Sequence, residues 1–267
     1  MELLRGLAAR RPHAGRVALV CAHPDDEAVG AGGSLALLPD LVIIHVTDGA
    51  PRRLPDWHRL GFASPDAYAG ARAAELRAAL AAAGCDAPHM VLGYPDQDAS
   101  ANLAELARRL SALFTEHQVA AVLTHAYEGG HPDHDATAWA CHAAARLVSP
   151  SGPARPALAE FPSYHTGLGD LVRAEFLPGP EPIPKPVIVH LNEAEEARKR
   201  AMIAAHATQA GVLRDFPTDR ESFRAAPDYD WQRPPHPGPL NYERWGWEMT
   251  GDRWRALARE AEAALWP

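Results

Sequence analysis

Short apolar runs alternate with longer segments of helical character along the first half of the chain. The runs that predict buried strands lie at 16–22, 41–46, 89–92 and 119–123. An alanine-rich helix is predicted between the second and third runs, at 68–83. The segment 102–117 has the i, i+3, i+4 apolar spacing of a helix that faces a core. This alternation predicts an α/β fold with a mostly parallel sheet and right-handed crossovers.

The pattern is looser beyond residue 149. Further strands are predicted at 157–164 and 187–191, and further helices at 193–209 and 253–265. Proline-rich connections are predicted at 151–156 and 178–186. We expect a single domain over residues 1–267, with a core at about 16–210 and an elaboration over the same sheet at about 211–267. A further segment, 217–247, is dense in Pro, Trp and Tyr. We expect it to shape either a pocket for the ligand or a contact between subunits.

Composition narrows the function classes. The chain has 267 residues, a formal net charge of −8 and a pI of about 5.9, with no dense Lys/Arg patch, so nucleic acid is not an expected partner. No apolar run is long enough to cross a bilayer, and residues 1–16 lack the apolar segment of a signal peptide. Three isolated cysteines are typical of buried thiols. These features predict a cytoplasmic protein with no membrane partner.

Polar residues crowd directly behind the first predicted strand. The sequence Ala-His-Pro-Asp-Asp-Glu at 22–27 places one imidazole and three carboxylates within five positions. Adjacent carboxylates repel one another, and holding them near a core costs desolvation free energy. A divalent cation would neutralise them, and histidine with aspartate is a normal ligand set for zinc. The stretch therefore predicts half of a metal site at the carboxyl end of a strand, where open α/β sheets bind ligands.

A second polar cluster follows the fourth predicted strand. Gly-Gly-His-Pro-Asp-His occupies 129–134, and Pro132 suits the first position of a helix that runs to about residue 148. His131 is then near the cap and His134 in the first turn, three residues apart and able to face the same way. Asp133 can accept a hydrogen bond from an imidazole N–H. This cluster predicts the other half of the site.

Together the two clusters contain the parts of a metal-dependent amide hydrolase. His23, Asp26 and His134 supply two imidazoles and one carboxylate, which leaves positions on a zinc ion for water and substrate. Asp25 is then free to take the proton of that water. His131 is placed to polarise a carbonyl or to protonate a leaving amine. Spacing alone does not decide which of the two neighbouring aspartates is the ligand and which is the base.

Three motifs resemble the zinc-dependent de-N-acetylases of the LmbE-like, or PIG-L, superfamily. They are Ala-His-Pro-Asp-Asp-Glu at 22–27, Thr-Asp-Gly at 47–49 and Gly-Gly-His-Pro-Asp-His at 129–134. Their order and their placement behind strands are also similar, over roughly residues 16–210. The resemblance implies a Rossmann-like fold with helices on both faces of the sheet. It also implies removal of an acetyl group from an N-acetylated sugar or glycoside of the N-acetylglucosamine type.

The resemblance implies roles for individual residues. One zinc ion per chain, or another divalent metal, would be held by His23, Asp26 and His134. Asp25 would be the general base, and His131 would stabilise the oxyanion or act as the acid. Oligomeric state is left open, a homo-oligomer included.

Three further residues are implied to support catalysis or to bind substrate. Asp133 would support His131. Arg72, in an Arg-x-x-Glu helix, and Asp96, in Gly-Tyr-Pro-Asp, resemble contacts to sugar hydroxyls. Two structural alternatives remain: an intrahelical pair between Arg72 and Glu75, and a turn-forming role for Asp96 after proline.

Other functions compete with amide hydrolysis. A metal-dependent phosphoesterase would need a second full ligand set, which Asp133 and Asp135 supply only weakly. A non-haem iron oxygenase also uses two histidines and one carboxylate, but the strand-helix alternation argues against it. A metal-stabilised binding protein without turnover would have no need for Asp25 and His131 beside the ligands.

Overall fold

The computed structural model of the chain describes residues 1–53, 56–148, 154–167, 169–178 and 183–267. The strands in these ranges are β1 Val17–Cys21, β2 Leu41–Pro51, β3 His89–Asp96, β4 Ala121–His125, β5 Ala157–Phe161, β6 Tyr164–His165, β7 Val172–Arg173, β8 Val187–His190 and β9 Arg220–Ala225. The helices are α1 Glu2–Ala8, α2 Asp26–Ala31, α3 Asp56–Arg59, α4 Pro65–Ala82, α5 Leu103–Glu116, α6 Pro132–Leu147, α7 Glu193–Ala205, α8 Ala210–Leu213, α9 Asn241–Arg244 and α10 Gly251–Leu265.

Seven strands form one sheet in the order β3-β2-β1-β4-β5-β9-β8. The first five are parallel, whereas β9 is antiparallel to both of its neighbours. The chain moves outward from β1 through β2 to β3, and then adds β4 and β5 on the other side of β1. Strand order therefore reverses between β1 and β4, and the crevice at such a reversal is the usual ligand site of an open α/β sheet.

The sheet is covered on both faces because successive residues of β1 point to opposite sides. Val17, Leu19 and Cys21 pack in a core with side chains of α1, α4 and α7. Ala18 and Val20 pack in a second core with side chains of α5, α6 and α10. Every residue of β1 is buried, as expected for a central parallel strand. The predicted α/β fold, with a mostly parallel sheet and helices on both faces, is confirmed.

The main difference from the sequence prediction is β9. It comes from the segment expected to lie over the sheet, yet it forms a strand between β5 and β8. The sequence of β9 is mostly polar, so it does not resemble a buried strand. Its buried charges are paired: Arg224 with Glu160 (2.6 Å) and Glu221 with Lys199 (3.2 Å). An apolar pattern does not reveal a strand whose buried charges find partners on other elements.

Other differences are smaller. The strands β2 and β3 extend past their predicted ends, and a helix, α2, begins inside the first motif. The helix expected at 193–209 ends at Ala205 and is followed by a short 3-10 turn. Cys21 and Cys141 are buried, as expected, whereas Cys85 is half-buried. The predicted connections at 151–156 and 178–186 lie partly outside the described residues.

Within the described residues, none of the helices has the length and apolarity needed to traverse a lipid bilayer.

Candidate active site

The two polar clusters meet because their strands are neighbours. The first cluster follows β1, the second follows β4, and these strands pair directly. As a result, Nδ1 of His23 lies 3.2 Å from Nε2 of His134, although 111 residues separate them. The carboxylate of Asp26 faces both rings, with Oδ2 3.5 Å from Nδ1 of His23 and Oδ1 3.3 Å from Nε2 of His134.

The neighbouring Asp25 points elsewhere. Its Oδ2 accepts a hydrogen bond from Nη2 of Arg72 (3.1 Å), and its backbone N–H donates to Oε2 of Glu27 (3.0 Å). Its backbone φ of +152° is a conformation that residues other than glycine rarely adopt, and such strain is typical of functional sites. Burial raises the pKa of the Asp25 carboxyl to about 6, although the Arg72 guanidinium opposes this.

Glu27 contacts two histidines that lie outside the sequence motifs. Its carboxylate is fully buried and lies 2.9 Å from Nε2 of His45, on β2, and 3.2 Å from Nε2 of His206, at the end of α7. Burial alone would raise the pKa of Glu27, but the contacts with His206 and His45 outweigh it and lower the pKa to about 2. Sequence analysis missed both histidines because each is isolated in the sequence and only the fold brings them to Glu27.

His131 has a defined proton arrangement. Its Nδ1 accepts a hydrogen bond from the backbone N–H of Asp133 (3.1 Å), so the ring proton is on Nε2. That Nε2 lies 3.5 Å from Oδ1 of Asp96. Burial, and then the imidazole of His23, hold the pKa of His131 well below its usual value. The site therefore contains a neutral imidazole whose N–H points into it.

Asp133 contacts a different imidazole from the one expected. Its Oδ2 lies 3.3 Å from Nε2 of His23, whereas it meets His131 only through its own backbone N–H. The carboxylate also accepts hydrogen bonds from the backbone N–H groups of Gln97 (2.6 Å) and Ala99 (3.1 Å). These contacts turn the side chain toward the end of β3 and away from His131. The support that the sequence assigned to His131 is thus directed to His23.

Arg72 makes neither the intrahelical pair nor an isolated surface contact. It is buried, and its guanidinium donates to the carbonyl oxygens of Gly49 (2.7 Å) and Pro24 (2.8 Å) in addition to Asp25. Glu75 instead accepts from the backbone N–H and the hydroxyl of Thr208. The predicted alternative of an Arg72–Glu75 pair is therefore wrong.

Asp96 lies among the imidazoles. Its Oδ1 is 3.5 Å from Nε2 of His23 and from Nε2 of His131, and this oxygen has no hydrogen-bond partner among the described residues. Asp96 and Arg72 also line the cavity in which the clusters lie. The structure thus brings all eight residues selected from the sequence to one site.

Three overlapping groups of side chains in the described residues could hold a metal ion. They are His23, His131 and His134; His23, Asp96, His131 and Asp133; and Asp26, His125 and His134. Each group shares at least one histidine with another, so the groups mark one continuous site.

His125 is fully engaged by the protein. Its Nε2 accepts the backbone N–H of Ala22 (3.0 Å), and its Nδ1 lies 2.9 Å from the hydroxyl of Ser163. The lone pair of Nε2 is therefore used, and Nδ1 carries the proton. Burial, followed by the neighbouring His134, lowers the pKa of His125 to about 4. His125 is therefore a core histidine whose two ring nitrogens both have partners.

A cavity of about 760 Å³ opens above this site. Much of its wall comes from the second half of the chain, including Tyr164, Phe216, Trp245 and Trp247. Sequence analysis did not single out Tyr164 or Phe216. The two tryptophans belong to the segment 217–247, whose role the sequence left open.

Comparison with protein families gives one match to this region. Residues 18–145 match the PIG-L family, described as GlcNAc-PI de-N-acetylase. The matched range contains all eight candidate residues.

Curated relatives are deacetylases of an N-acetylglucosamine conjugate. The 1D-myo-inositol 2-acetamido-2-deoxy-alpha-D-glucopyranoside deacetylase of Mycobacterium sp. (strain KMS) is 32% identical over 142 residues, which are 45% of this chain and 46% of the relative. The corresponding deacetylase 2 of Catenulispora acidiphila is 31% identical over 161 residues, 51% of this chain and 53% of the relative. The chain thus spans about half the length of the curated relatives it matches.

Solved structures share the fold over most of this chain. The A40926 pseudoaglycone deacetylase is 21% identical with a TM-score of 0.61, covering 80% of this chain and 97% of that one. The N,N'-diacetylchitobiose deacetylase from Pyrococcus horikoshii is 18% identical with a TM-score of 0.57, covering 85% and 91%. At these identities the likeness establishes the fold. The match over residues 18–145, just under half of this chain, makes that range similar to the PIG-L, or LmbE-like, family.

Proposed function

We propose that this protein is a metal-dependent deacetylase that hydrolyses the acetamide of an N-acetylglucosamine-type sugar or glycoside. The observation that carries the proposal is the meeting of His23, Asp26 and His134 at the reversal of strand order, with Asp25 and His131 beside them. The family match and the names of the curated relatives support the same reaction.

Two separations between donor atoms fit one zinc ion. Two ligand atoms on a tetrahedral zinc lie about 3.3–3.4 Å apart, given bonds of roughly 2.0–2.1 Å. Nε2 of His134 lies 3.2 Å from Nδ1 of His23 and 3.3 Å from Oδ1 of Asp26, whereas the 3.5 Å contact of His23 Nδ1 is with the other carboxylate oxygen, Oδ2. Oδ2 of Asp26 already accepts the backbone N–H of His23 at 2.7 Å, so its Oδ1 is the oxygen for a metal. Two imidazoles and one carboxylate also form a common catalytic set for zinc.

Hydrogen bonding separates the ligands from the other histidines. His125 and His131 each use one ring nitrogen to accept a backbone N–H and carry the proton on the other, so neither offers a free lone pair. His23 differs, because its Nε2 faces the carboxylate of Asp133 and leaves Nδ1 toward His134. Such a carboxylate partner fixes the tautomer and the orientation of a ligating imidazole.

Zinc bound at these residues would supply a water molecule of lowered pKa and would polarise the substrate carbonyl. Asp25, which lines the cavity, accepts the proton of the attacking water, while Arg72 holds its Oδ2. A carboxyl pKa near 6 suits a base that works close to neutral pH. His131 donates from Nε2 to the carbonyl oxygen as negative charge develops there. Water and the acetamide together yield acetate and a free amine.

The proposal is tested by measuring acetate release from N-acetylglucosamine and its methyl glycoside. We expect turnover that a chelator abolishes and that added zinc restores, with about one metal ion per chain. Release that is insensitive to the chelator, or no release from these two compounds or from longer glycosides of N-acetylglucosamine by the metal-loaded protein, would contradict the proposal.

The phosphoesterase alternative has less support. It requires two complete ligand sets, whereas the three candidate groups in the described residues share His23, His131 or His134. Two metal ions per chain, together with cleavage of a phosphate ester, would favour it over deacetylation.

A further inference from the structure

The mouth of the active-site cavity is unusually apolar. Within the described residues, six large hydrophobic side chains are exposed: Met1, Leu60, Val91, Ile188, Val212 and Trp245. Three of these, Leu60, Val212 and Trp245, line the cavity above the histidines. Single exposed apolar residues are ordinary, but several at one cavity mouth indicate a surface that contacts a ligand.

This apolar surface is continuous with the candidate catalytic groups. The ring of Tyr164 lies 5.3 Å from that of His134 and 6.0 Å from that of Trp245. Trp245 in turn lies 5.0 Å from Trp247, whose ring is 4.9 Å from that of His131. A chain of aromatic contacts thus runs from the imidazoles to the exposed rim. A ligand whose acetamide reaches His131 therefore has aromatic surface beside its remaining part.

The charges near the mouth do not favour an anionic group. The cavity is lined by two arginines in the described part of the chain, and each has a carboxylate partner: Arg59 pairs with Asp56, and Arg72 pairs with Asp25. Phosphate recognition normally uses basic side chains that are free to bind its oxygens. The net charge of −8 also opposes an anionic ligand.

We propose that the physiological substrate is an N-acetylglucosaminide whose aglycone is neutral and apolar, an alkyl or aryl group that packs against Leu60, Val212 and Trp245. The inference rests on the proposed deacetylase function and specifies the part of the substrate beyond the sugar. Such an aglycone differs from the inositol in the names of the curated relatives. A cavity of about 760 Å³ is large enough for a sugar ring with a substituent of this kind.

The test compares kcat/KM for methyl, butyl and octyl glycosides of N-acetylglucosamine and for the inositol conjugate, below the concentration at which octyl glycosides form micelles. Full burial of a methylene contributes at most about a fourfold gain, so partial burial over an octyl chain predicts an octyl-to-methyl ratio of about ten or more. We also expect the octyl glycoside to exceed the inositol conjugate.

Variants test whether the preference for the octyl glycoside arises from the apolar residues at the cavity mouth. The double substitution Leu60→Gln and Val212→Thr is expected to reduce the octyl-to-methyl ratio to about two or less, because both contacts become polar. Val91→Thr is the matched control, since it makes the same isosteric change at an exposed valine on β3, outside this cavity. It is expected to leave both the ratio and the rates unchanged.

The outcomes separate the two proposals. If the methyl glycoside is turned over but kcat/KM does not rise along the alkyl series, or if the inositol conjugate is preferred, the inference of an apolar aglycone is overturned. The proposed deacetylase function would still stand. A dimer in sedimentation that the double variant dissociates, combined with a flat series, would assign the apolar rim to a second copy of the chain and overturn the inference. No acetate from any compound would overturn the proposed function itself.

Discussion

The parallel half of the sheet and the second half of the chain contribute different things to one site. Loops after β1 and β4 supply the candidate ligands and proton carriers, all anchored at the ends of buried strands. Residues beyond 154 supply cavity walls, among them Tyr164, Val212 and Trp247. The contrast indicates that rigid strand ends position the candidate reactive side chains, whereas loops and short helices form the walls that determine which ligands bind.

The family comparison follows the same division. The matched range, 18–145, covers the strands and loops of the chemistry and part of the cavity wall, Leu60 included, and ends before the wall residues beyond 154. Substitutions at the strand ends should therefore alter turnover and metal binding, and substitutions in the cavity wall should alter substrate preference and local support.

The largest effect is expected at Asp25. Asp25→Asn keeps the shape of the side chain but removes the base, and loss of general base catalysis typically costs about 10²- to 10⁴-fold in kcat. Zinc content should be retained, because Asp25 faces Arg72 and not the imidazole pair. Acetate release and metal analysis measure the two properties on the same sample.

The exposed Asp86 offers the control for this change, since Asp86→Asn makes it far from the site. If Asp25→Asn lost its metal while Asp26→Asn kept it, the assigned roles of the two neighbours would be reversed.

The next effect is on metal affinity. His134→Ala removes an imidazole that lies within 3.3 Å of two other donor atoms. The loss of affinity should exceed the roughly 10- to 100-fold that follows removal of an outer hydrogen-bonding partner of a ligand. Zinc titration with a competing chelator measures it.

His142→Ala is the matched control, because His142 lies two turns further along the same helix and lines a different cavity. Zinc affinity close to that of the unmodified protein in His134→Ala would remove this residue from the ligand set.

A smaller effect is expected where the two regions touch. A Cβ atom at Gly130 would lie 1.9 Å from the carbonyl oxygen of Tyr164, and backbone cannot give way as a flexible side chain does. Gly130→Ala should therefore lower the free energy of unfolding by about 3 kcal/mol and displace the loop before α6. Chemical denaturation measures the change.

Gly70 provides the opposite case on the exposed side of α4, since no atom of the described residues lies within 4 Å of its added Cβ. Gly70→Ala should raise stability by about 0.5–1 kcal/mol. Equal stability of the two variants would mean that the Gly130 loop and the Tyr164 strand move freely past each other.

The sequence predicted the first region well for physical reasons. Continuous apolar runs identify buried parallel strands, and acids crowded behind such a run are costly without a cation. The family resemblance pointed to His23, Asp26 and His134, and strand order then explains why they meet. The resemblance could not reveal that Asp133 faces His23. The direction of this side chain, in the first turn of α6, depends on hydrogen bonds from Gln97 and Ala99, which follow β3.

The second region was harder to predict. β9 is polar in sequence, and its buried charges are neutralised only by partners on other elements, such as Glu160 and Lys199. His206 reaches Glu27 from a distant position without a motif, as His45 does from β2 in the first region. Wall residues such as Trp245 carry no chemical signature at all. Local patterns therefore predict strands and ligands, while pairings between distant segments require the structure.

The smallest loss is expected at Asn241, which joins the C-terminal segment to the loop before α6. Its side-chain N–H donates to the carbonyl oxygen of Gly130 (3.1 Å), and its backbone N–H donates to that of Gly129 (2.9 Å). Asn241→Ala leaves a buried carbonyl unpartnered and should lower the free energy of unfolding by about 1–2 kcal/mol. Activity should fall a few-fold while zinc content stays unchanged. Asn102→Ala is the control, because its amide makes a similar bond to the carbonyl of Asp98 within one half-buried turn. Equal losses in the two variants, with full activity in both, would show that the C-terminal segment only covers the site and does not hold its loop.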